Sequence, residues 1–556
     1  MTEEKIQIYC KNTGTYRHFR PGVTLQEIYD GMDVRLPYLL TSARVNNKTE
    51  NLHFRCYMPK DVEFLDIRHP SALRTYVRSL CFVLSKAVYD LYKIKVYIEH
   101  PVSKGYYCEL ALDRPIVRED VEAIKQRMSE IIRADRPFIV KNEQTSAIVD
   151  LFREQQMEDK ALLLETSGTL YDTYQELDEY ADYYHGTLLP STGSLYLFGL
   201  EPFYDGLLLR IPCRENPAIL EPFVKQDKMM AVFQEDAKLL RVLGLKNAGD
   251  LNLACREEGR ASAIVNVAEA LQEKIIAKIA ETIAEKHKQG TKVVLISGPS
   301  SSGKTTFCQR LQVQLMTNRL SPVGISLDDY YLNRVDTPLT ASGDYDFESL
   351  YAIDLPKFNE DLKKLLQGEK ISLPTYDFTQ GKRIYRGNTI QMKPGSVLVM
   401  EGIHALNPDL LPEIPSEQTF KIYVSALTSI SLDGHNWIPT TDNRLLRRIV
   451  RDYQFRKYAA KETISRWPSV RAGEDRWIFP FQENADAMFN SAMLYELAAL
   501  RRQAEIILSE VQPNEAEYAE ACRLKKLLCY FNYINTDELP GTSLLREFTG
   551  GSTFRY

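Results

Sequence analysis

Nine cysteines occur in the chain, at 10, 56, 81, 108, 213, 255, 308, 522 and 529, yet no two form a Cys-x-x-Cys pair. That absence argues against a zinc ribbon or a redox dithiol and fits thiols kept reduced, so a cytoplasmic setting is expected. No apolar run reaches the roughly 18 residues that a membrane span needs. The opening MTEEKIQIYCKNTG carries no apolar signal core. Positive charge is not in excess either: 69 basic residues face 75 acidic ones, a net charge of −6. The composition therefore does not advertise nucleic acid, although a local basic patch stays open. Low-complexity tracts and repeats of solenoid period are missing. What remains, 44% hydrophobic and 26% charged over 556 residues, is an ordinary globular composition with room for three or four domains.

Four segments follow from the changes in pattern. Residues 1–66 read as a small α+β unit: KIQIYC as a strand, VTLQEIYDGM as a short helix, then LLTSARVNNKTENL and DVEFLDI, with Pro21-Gly22 and Asn46-Asn47 as turns. Residues 67–215 open on HPSALRTYVRSLCFVLSKAVYDLY, apolar at helical spacing. They continue with strands KVYIEHPV and YYCELAL around a turn at Gly105, helices REDVEAIKQRMSEIIR and EQTSAIVDLFREQQ, and strands within LPSTGSLYLFGLEPFYDGLLLRIP. The tyrosine-rich YDTYQELDEYADYYHG reads as packing rather than a ligand cage. Residues 216–290 read as a helical connector ending in the amphipathic AIVNVAEALQEKIIAKIAETIAEKHKQG. From 291 strands alternate with helices (TKVVLIS, SPVGISLDD, SVLVMEG), which predicts a parallel α/β sheet flanked by helices.

GPSSSGKTT, residues 298–306, fits the phosphate-loop pattern Gly-x4-Gly-Lys-Thr, with a strand before it and the helix FCQRLQVQLM after it. Gly298 and Gly303 let the N–H groups of Ser300, Ser301, Ser302 and Thr306 turn toward phosphate at a helix N-terminus. Lys304 reaches the β/γ-phosphates and the Thr305 hydroxyl holds Mg²⁺. No guanine-reading (Asn/Thr)-Lys-x-Asp stretch accompanies it. SLDDYY ends the next strand, placing Asp328 and Asp329 in the crevice where such sheets bind ligands. One of them is a candidate base for an attacking hydroxyl; the alternative is that they only order Mg²⁺ waters or start a helix. Glu401, at the end of VLVMEG, stands at the same edge and suits Mg²⁺. Arg444, Arg447, Arg448, Arg451 and Arg456 cluster on one predicted helix, with 444, 448 and 451 on a shared face, as a lid over a triphosphate or as a solvated basic face.

Over residues 290–510 this set resembles the uridine kinase and phosphoribulokinase family of P-loop kinases. The resemblance implies an ATP- or other NTP-dependent, Mg²⁺-dependent kinase. Asp328 would be the general base and Tyr331 a nucleoside contact; DYDFESLYAID would supply Tyr345 and Asp346 to the sugar. PTYDFTQGKR would supply Tyr376, with Arg383 nearby, to the base, and Glu401 would serve Mg²⁺. RLLRRIVRDYQFR would supply Arg448, Arg451 and Arg456. Two positions depart: Gly381 stands where uridine kinases read the pyrimidine with a histidine, and Tyr458 replaces a second lid arginine. Both touch acceptor choice rather than phosphoryl transfer.

Residues 1–66 resemble a TGS domain, the ubiquitin-like module of threonyl-tRNA synthetases, and 67–215 resemble the editing domain that follows it there. His69 is kept from that family's His-x-x-x-His, but Leu73, Tyr184 and Leu188 replace the remaining polar set, and neighbouring His185 does not restore it. A catalytically inactive relative is implied. The expected activity is phosphorylation of a nucleoside 5′-hydroxyl, uridine or cytidine first. A sugar phosphate or other small alcohol as acceptor, or a nucleotide-controlled tRNA- or RNA-binding regulator, are the alternatives, and the final ELPGTSLLREFTGGSTFRY has a glycine pair and a basic residue within reach of a nucleotide.

Overall fold

The computed structural model describes residues 5–340, 343–377 and 380–555. The Phe378-Thr379 portion of PTYDFTQGKR lies outside them.

Near the N-terminus, five strands form a mixed sheet in the order Thr15–Phe19, Ile6–Cys10, Lys60–Asp66, Leu40–Val45, Lys48–Glu50. One short helix, Leu25–Gly31, packs on it. Thr24 caps that helix and Glu27 closes the capping box, satisfying two otherwise orphaned N–H groups. Ile6, Ile8, Val23, Leu25, Ile28, Val62 and Phe64 make a core of its own. The edge strand Thr15–Phe19 is exposed along nearly its whole length, so it carries no apolar alternation for sequence to show.

The next region is built on the buried helix Pro70–Tyr92. His69 is its N-cap: Nδ1 accepts the Ser71 N–H at 3.2 Å, and burial draws the imidazole pKa down to about 4, so the ring is neutral. Strands Val96–Val102 and Gly105–Leu110 pair antiparallel. The turn expected at Gly105 is made instead by Ser103 and Lys104, both with positive φ. Gly105 begins the second strand, where a Cβ would sit 2.7 Å from the Leu209 carbonyl oxygen. Four tyrosines of the acidic stretch do pack, Tyr174, Tyr180, Tyr183 and Tyr184 being buried, while Tyr171 is exposed. Residues 216–290 hold three helices, Asp227–Leu243, Ala248–Arg256 and Arg260–Lys288, the last over the amphipathic stretch.

The C-terminal region carries a five-stranded, wholly parallel sheet ordered Ser321–Ser326, Ser396–Glu401, Val293–Ser297, Thr419–Ser425, Ala487–Asn490. Its central strand VVLIS is buried at every residue, as a strand covered on both faces must be. The hairpin Lys370–Asp377/Lys382–Gln391 stands off this sheet as a separate arm.

One hydrophobic core runs without a break from Ile67 to Phe548. A buried polar knot crosses it. The loop Asp433-Gly434-His435-Asn436, which follows the fourth strand of the parallel sheet, enters the region of residues 67–215. There Lys160 Nζ donates to Asp182 at 2.8 Å and to Asp433 at 2.9 Å. His435 Nδ1 lies 2.8 Å from the other Asp182 oxygen. Asn436 donates to the Tyr183 carbonyl at 2.7 Å and the Gly434 N–H to Asp159 at 2.6 Å. Every charge in the knot has a partner, the condition under which ions can be buried at all. No helix among the described residues is long and apolar enough to cross a membrane.

Candidate functional site

The phosphate loop is shaped by close backbone approach. A Cβ on Gly298 would lie 2.0 Å from the Val424 carbonyl oxygen, so only glycine lets the loop pass the neighbouring strand. Ser301 and Gly303 take left-handed backbone, with φ of 58° and 80°, and turn the chain into helix Lys304–Thr317. Lys304 Nζ folds back to the Pro299 carbonyl oxygen at 3.2 Å. Burial lowers its pKa against the pull of Glu401, Asp328 and Glu547. The Ser301 and Ser302 hydroxyls are buried without a hydrogen-bond partner.

Asp328 and Asp329 part company. The Asp329 carboxylate accepts the Tyr376 N–H at 3.2 Å and so anchors the hairpin. Asp328 faces the phosphate loop: burial raises its pKa, while Lys304, Arg456 and Arg451 pull it back. Glu401, tied to the Ser326 hydroxyl at 3.1 Å, is pushed up to about 7 by burial and by Asp328. Two carboxylates facing Lys304, with Asp328 raising Glu401, are a donor set that fits a hard divalent cation.

The predicted lid divides in two. Arg444 and Arg447 on helix Thr440–Arg456 are fully buried. Arg444 donates to the Ser300 carbonyl at 2.9 Å and pairs with Glu474; Arg447 pairs with Glu496 and donates to the Ser491 hydroxyl at 3.0 Å. They brace the loop from behind and are not part of a solvated face. Arg448 instead reaches the loop, donating to the Ser300 hydroxyl at 2.7 Å. Arg448, Arg451 and Arg456 gather around Asp452 at 3.3, 2.9 and 3.6 Å. Mutual repulsion with Arg451, then burial, draws Arg456 down to about 10. Tyr458 receives Arg466 over its ring at 4.6 Å.

On the acceptor side, Tyr331 and Tyr376 meet edge to face at 5.7 Å. Arg383 pairs with Asp354 at 2.8 Å, beside Tyr376 in the hairpin register. At Gly381, with φ of 65°, the Arg334 side chain fills the space: a Cβ there would lie 2.8 Å from Arg334 Nε. Tyr345 sits against Phe347 and is 42% exposed; neither it nor Asp346 makes a hydrogen bond or ring contact to the phosphate loop.

Three acidic residues not anticipated from sequence complete the site. Glu348 is half-buried, raised to about 7 by desolvation and then by Glu474, with Arg448, Asp328 and Lys304 also acting on it. Glu474 accepts the Ser300 N–H at 3.0 Å. Glu547, from the C-terminal stretch, accepts both the Thr306 N–H at 3.2 Å and its hydroxyl at 2.7 Å. Leu544 packs on Gly303 in the same segment, where a Cβ would lie 2.5 Å from its methyl. A carboxylate oxygen thus sits on donors suited to an anionic oxygen. Glu348 and Glu547 lie within stretches read above, DYDFESLYAID and ELPGTSLLREFTGGSTFRY, although neither glutamate was picked out; Glu474 had no local signal.

The profile of the Phosphoribulokinase / Uridine kinase family matches residues 293–497. A uridine kinase of Deinococcus deserti is 30% identical over 197 residues, covering 35% of this chain and 86% of that protein. A uridine kinase of Borrelia duttonii is 31% identical over 222 residues, covering 37% and 93%. The chain belongs to the phosphoribulokinase/uridine kinase family. It is a phosphotransferase with an alcohol acceptor, and the family match lies wholly C-terminal to residue 292. Among solved structures, a possible uridine kinase from Bacillus stearothermophilus is similar at 17% identity and TM-score 0.26, covering 38% of this chain and 97% of that one.

Proposed function

We propose that the chain transfers the γ-phosphoryl group of ATP to the 5′-hydroxyl of a nucleoside, uridine or cytidine first. The observation that carries the reading is Asp328, desolvated at a strand end and acted on by Lys304, Arg451 and Arg456. A carboxylate raised toward neutrality accepts a hydroxyl proton better than a solvated one. Lys304 and the loop N–H groups would hold the β/γ-phosphates, and Arg448, Arg451 and Arg456 would meet charge on the transferred group. Thr305 and Glu401 would hold Mg²⁺, which supplies charge neutralisation across the β- and γ-phosphates. Tyr331, Tyr376 and Arg383 would frame the acceptor, with Tyr345 and Asp346 at its outer side.

The packing of Arg334 at Gly381 favours a second reading, an acceptor that already carries phosphate, because a cation stands where uridine kinases carry a histidine. Within the same proposal, residues 1–66 form a TGS-like, ubiquitin-like module and 67–215 an inactive editing-like module; 216–290 connect them to a kinase domain over 291–556. His69 as a neutral helix cap, and buried Tyr184 and Leu188, support the loss of editing chemistry.

ADP formation with uridine, cytidine, purine nucleosides and sugar phosphates tests the reading. A pyrimidine nucleoside standing out, with activity lost in Lys304→Ala, supports it. A sugar phosphate standing out transfers the case to the second reading, and a flat panel with ATP still bound removes both.

A further inference from the structure

A cavity of about 950 Å³ lies away from the phosphate loop, where residues 44–78 and 173–188 meet the helices Ala460–Trp477 and Tyr518–Leu528. Its wall is cationic: Arg74, Arg78, Arg471, Arg523 and Lys526 line it, together with His185. Part of that charge is matched. Arg74 and Arg523 share Glu520, and Arg523 also pairs with Asp442. Arg78 and Lys526 have no carboxylate within ion-pair distance among the described residues. Arg78 donates only to neutral oxygens, the Thr187 carbonyl at 3.0 Å and the Thr75 hydroxyl at 3.3 Å.

The unmatched cations are held in place. The Arg78 guanidinium lies flat on Gly186, where a Cβ would come within 2.6 Å of Arg78 Cζ. Burial, then Arg74 and Arg523, draws Arg78 down to about 9. Both ring nitrogens of His185 are buried without a hydrogen-bond partner among the described residues. Desolvation and the nearby Lys526, Arg523 and Arg78 keep the ring neutral, with one N–H to donate. A guanidinium, an ammonium and an imidazole N–H lining one cavity without a counter-anion among the described residues form an anion site. The volume falls within the range of small-molecule pockets, roughly 300–1,000 Å³.

We propose that this junction cavity binds a small organic phosphate of nucleotide size, its phosphate held by Arg78, Lys526 and His185. The site does not depend on the acceptor read at the phosphate loop. Occupancy also has a route to that loop. Arg471 faces the cavity and donates to Glu474 at 2.7 Å, and Glu474 in turn accepts the Ser300 N–H at 3.0 Å. An anion drawing Arg471 away frees one oxygen of Glu474, alters the carboxylate's hold on the loop and so changes the apparent affinity for ATP.

Calorimetric titration of the full chain with inorganic pyrophosphate tests the proposal. Two binding events are expected in the unaltered protein. Lys304→Ala removes one and leaves the other, while Arg78→Gln weakens the remaining one at least tenfold. Lys526→Gln, an exposed residue on a different helix, weakens that same event and guards against misfolding of the first variant. Loss of all pyrophosphate binding in Lys304→Ala overturns the proposal, as does an unchanged titration in both cavity variants. Capture of tRNA but not pyrophosphate through Arg78 overturns it too.

Discussion

Adjacent aspartates at 328 and 329 illustrate how far neighbours can diverge when one faces a cleft and the other a backbone. Asp329 spends its charge on the Tyr376 N–H, whereas Asp328 is desolvated before the lysine and arginines of the loop and lid. Asp328→Asn keeps the shape and removes the proposed base, so kcat should fall about 10²- to 10⁴-fold with ATP affinity little changed. Asp329→Asn keeps an acceptor for the Tyr376 N–H and should change kcat less than the Asp328 variant. Comparable losses in the two would show that the pair acts as a unit. At this scale sequence was informative about position and poor about role. SLDDYY at a strand end placed both carboxylates at the site but could not rank them, because the ranking depends on a hydrogen bond to a residue 47 positions away. Likewise the arginine run was visible, but whether each arginine meets phosphate or braces protein depends on Glu474 and Glu496, which belong to other helices.

Among elements, the central strand and loop helix were legible because both are local. VVLIS is a short continuous apolar run, and the glycines around Lys304 are demanded by backbone approach within a few residues. Helices Glu158–Ser167 and Asp227–Leu243 were not, since the first buries Lys160 and Thr166 among its apolar residues and the second buries only four side chains. The segment with the greatest consequence for the site was readable only in part: its glycine pair and basic residue stood out, its acidic contact did not. Residues 544–548 carry Leu544 onto Gly303 and Glu547 onto Thr306, more than 240 residues further along the chain. An anionic side chain on the donors of the phosphate loop competes with an incoming phosphate. A hydrogen bond to a charged group contributes about 1.5–3 kcal/mol. Glu547→Gln should therefore tighten ATP binding roughly tenfold by calorimetry. Weaker ATP binding in this variant would mean that the segment assists the nucleotide rather than opposing it.

The whole molecule is tied together by buried charge, and this makes its stability depend on acid in a defined direction. Burial opposes ionisation of Asp182, but His435 and Lys160 outweigh it and hold the carboxyl well below the usual range. Glu520 behaves alike, with Arg523 and Arg74 overcoming its burial. A carboxylate depressed in the folded state contributes stability that is complete above its unfolded pKa, about 4, and is lost as pH falls toward the folded value. The contribution of these two carboxylates to the urea midpoint should be complete from neutrality to about pH 5 and be lost steeply below pH 4. Because the Asp182–Lys160–Asp433 knot spans the region of residues 67–215 and the parallel-sheet region, both should unfold in one transition. Asp182→Asn leaves the Lys160 ammonium short of a partner and should cost about 3–5 kcal/mol at neutral pH, while flattening the acid slope. Pairing it with Lys160→Met removes the stranded charge and should restore part of the loss. Two separate urea transitions in the unaltered protein, followed by tryptophan fluorescence and circular dichroism, would show that the knot does not couple the two regions. A single transition whose acid slope is unchanged in Asp182→Asn would place the acid sensitivity at Glu520, on the wall of the junction cavity, instead.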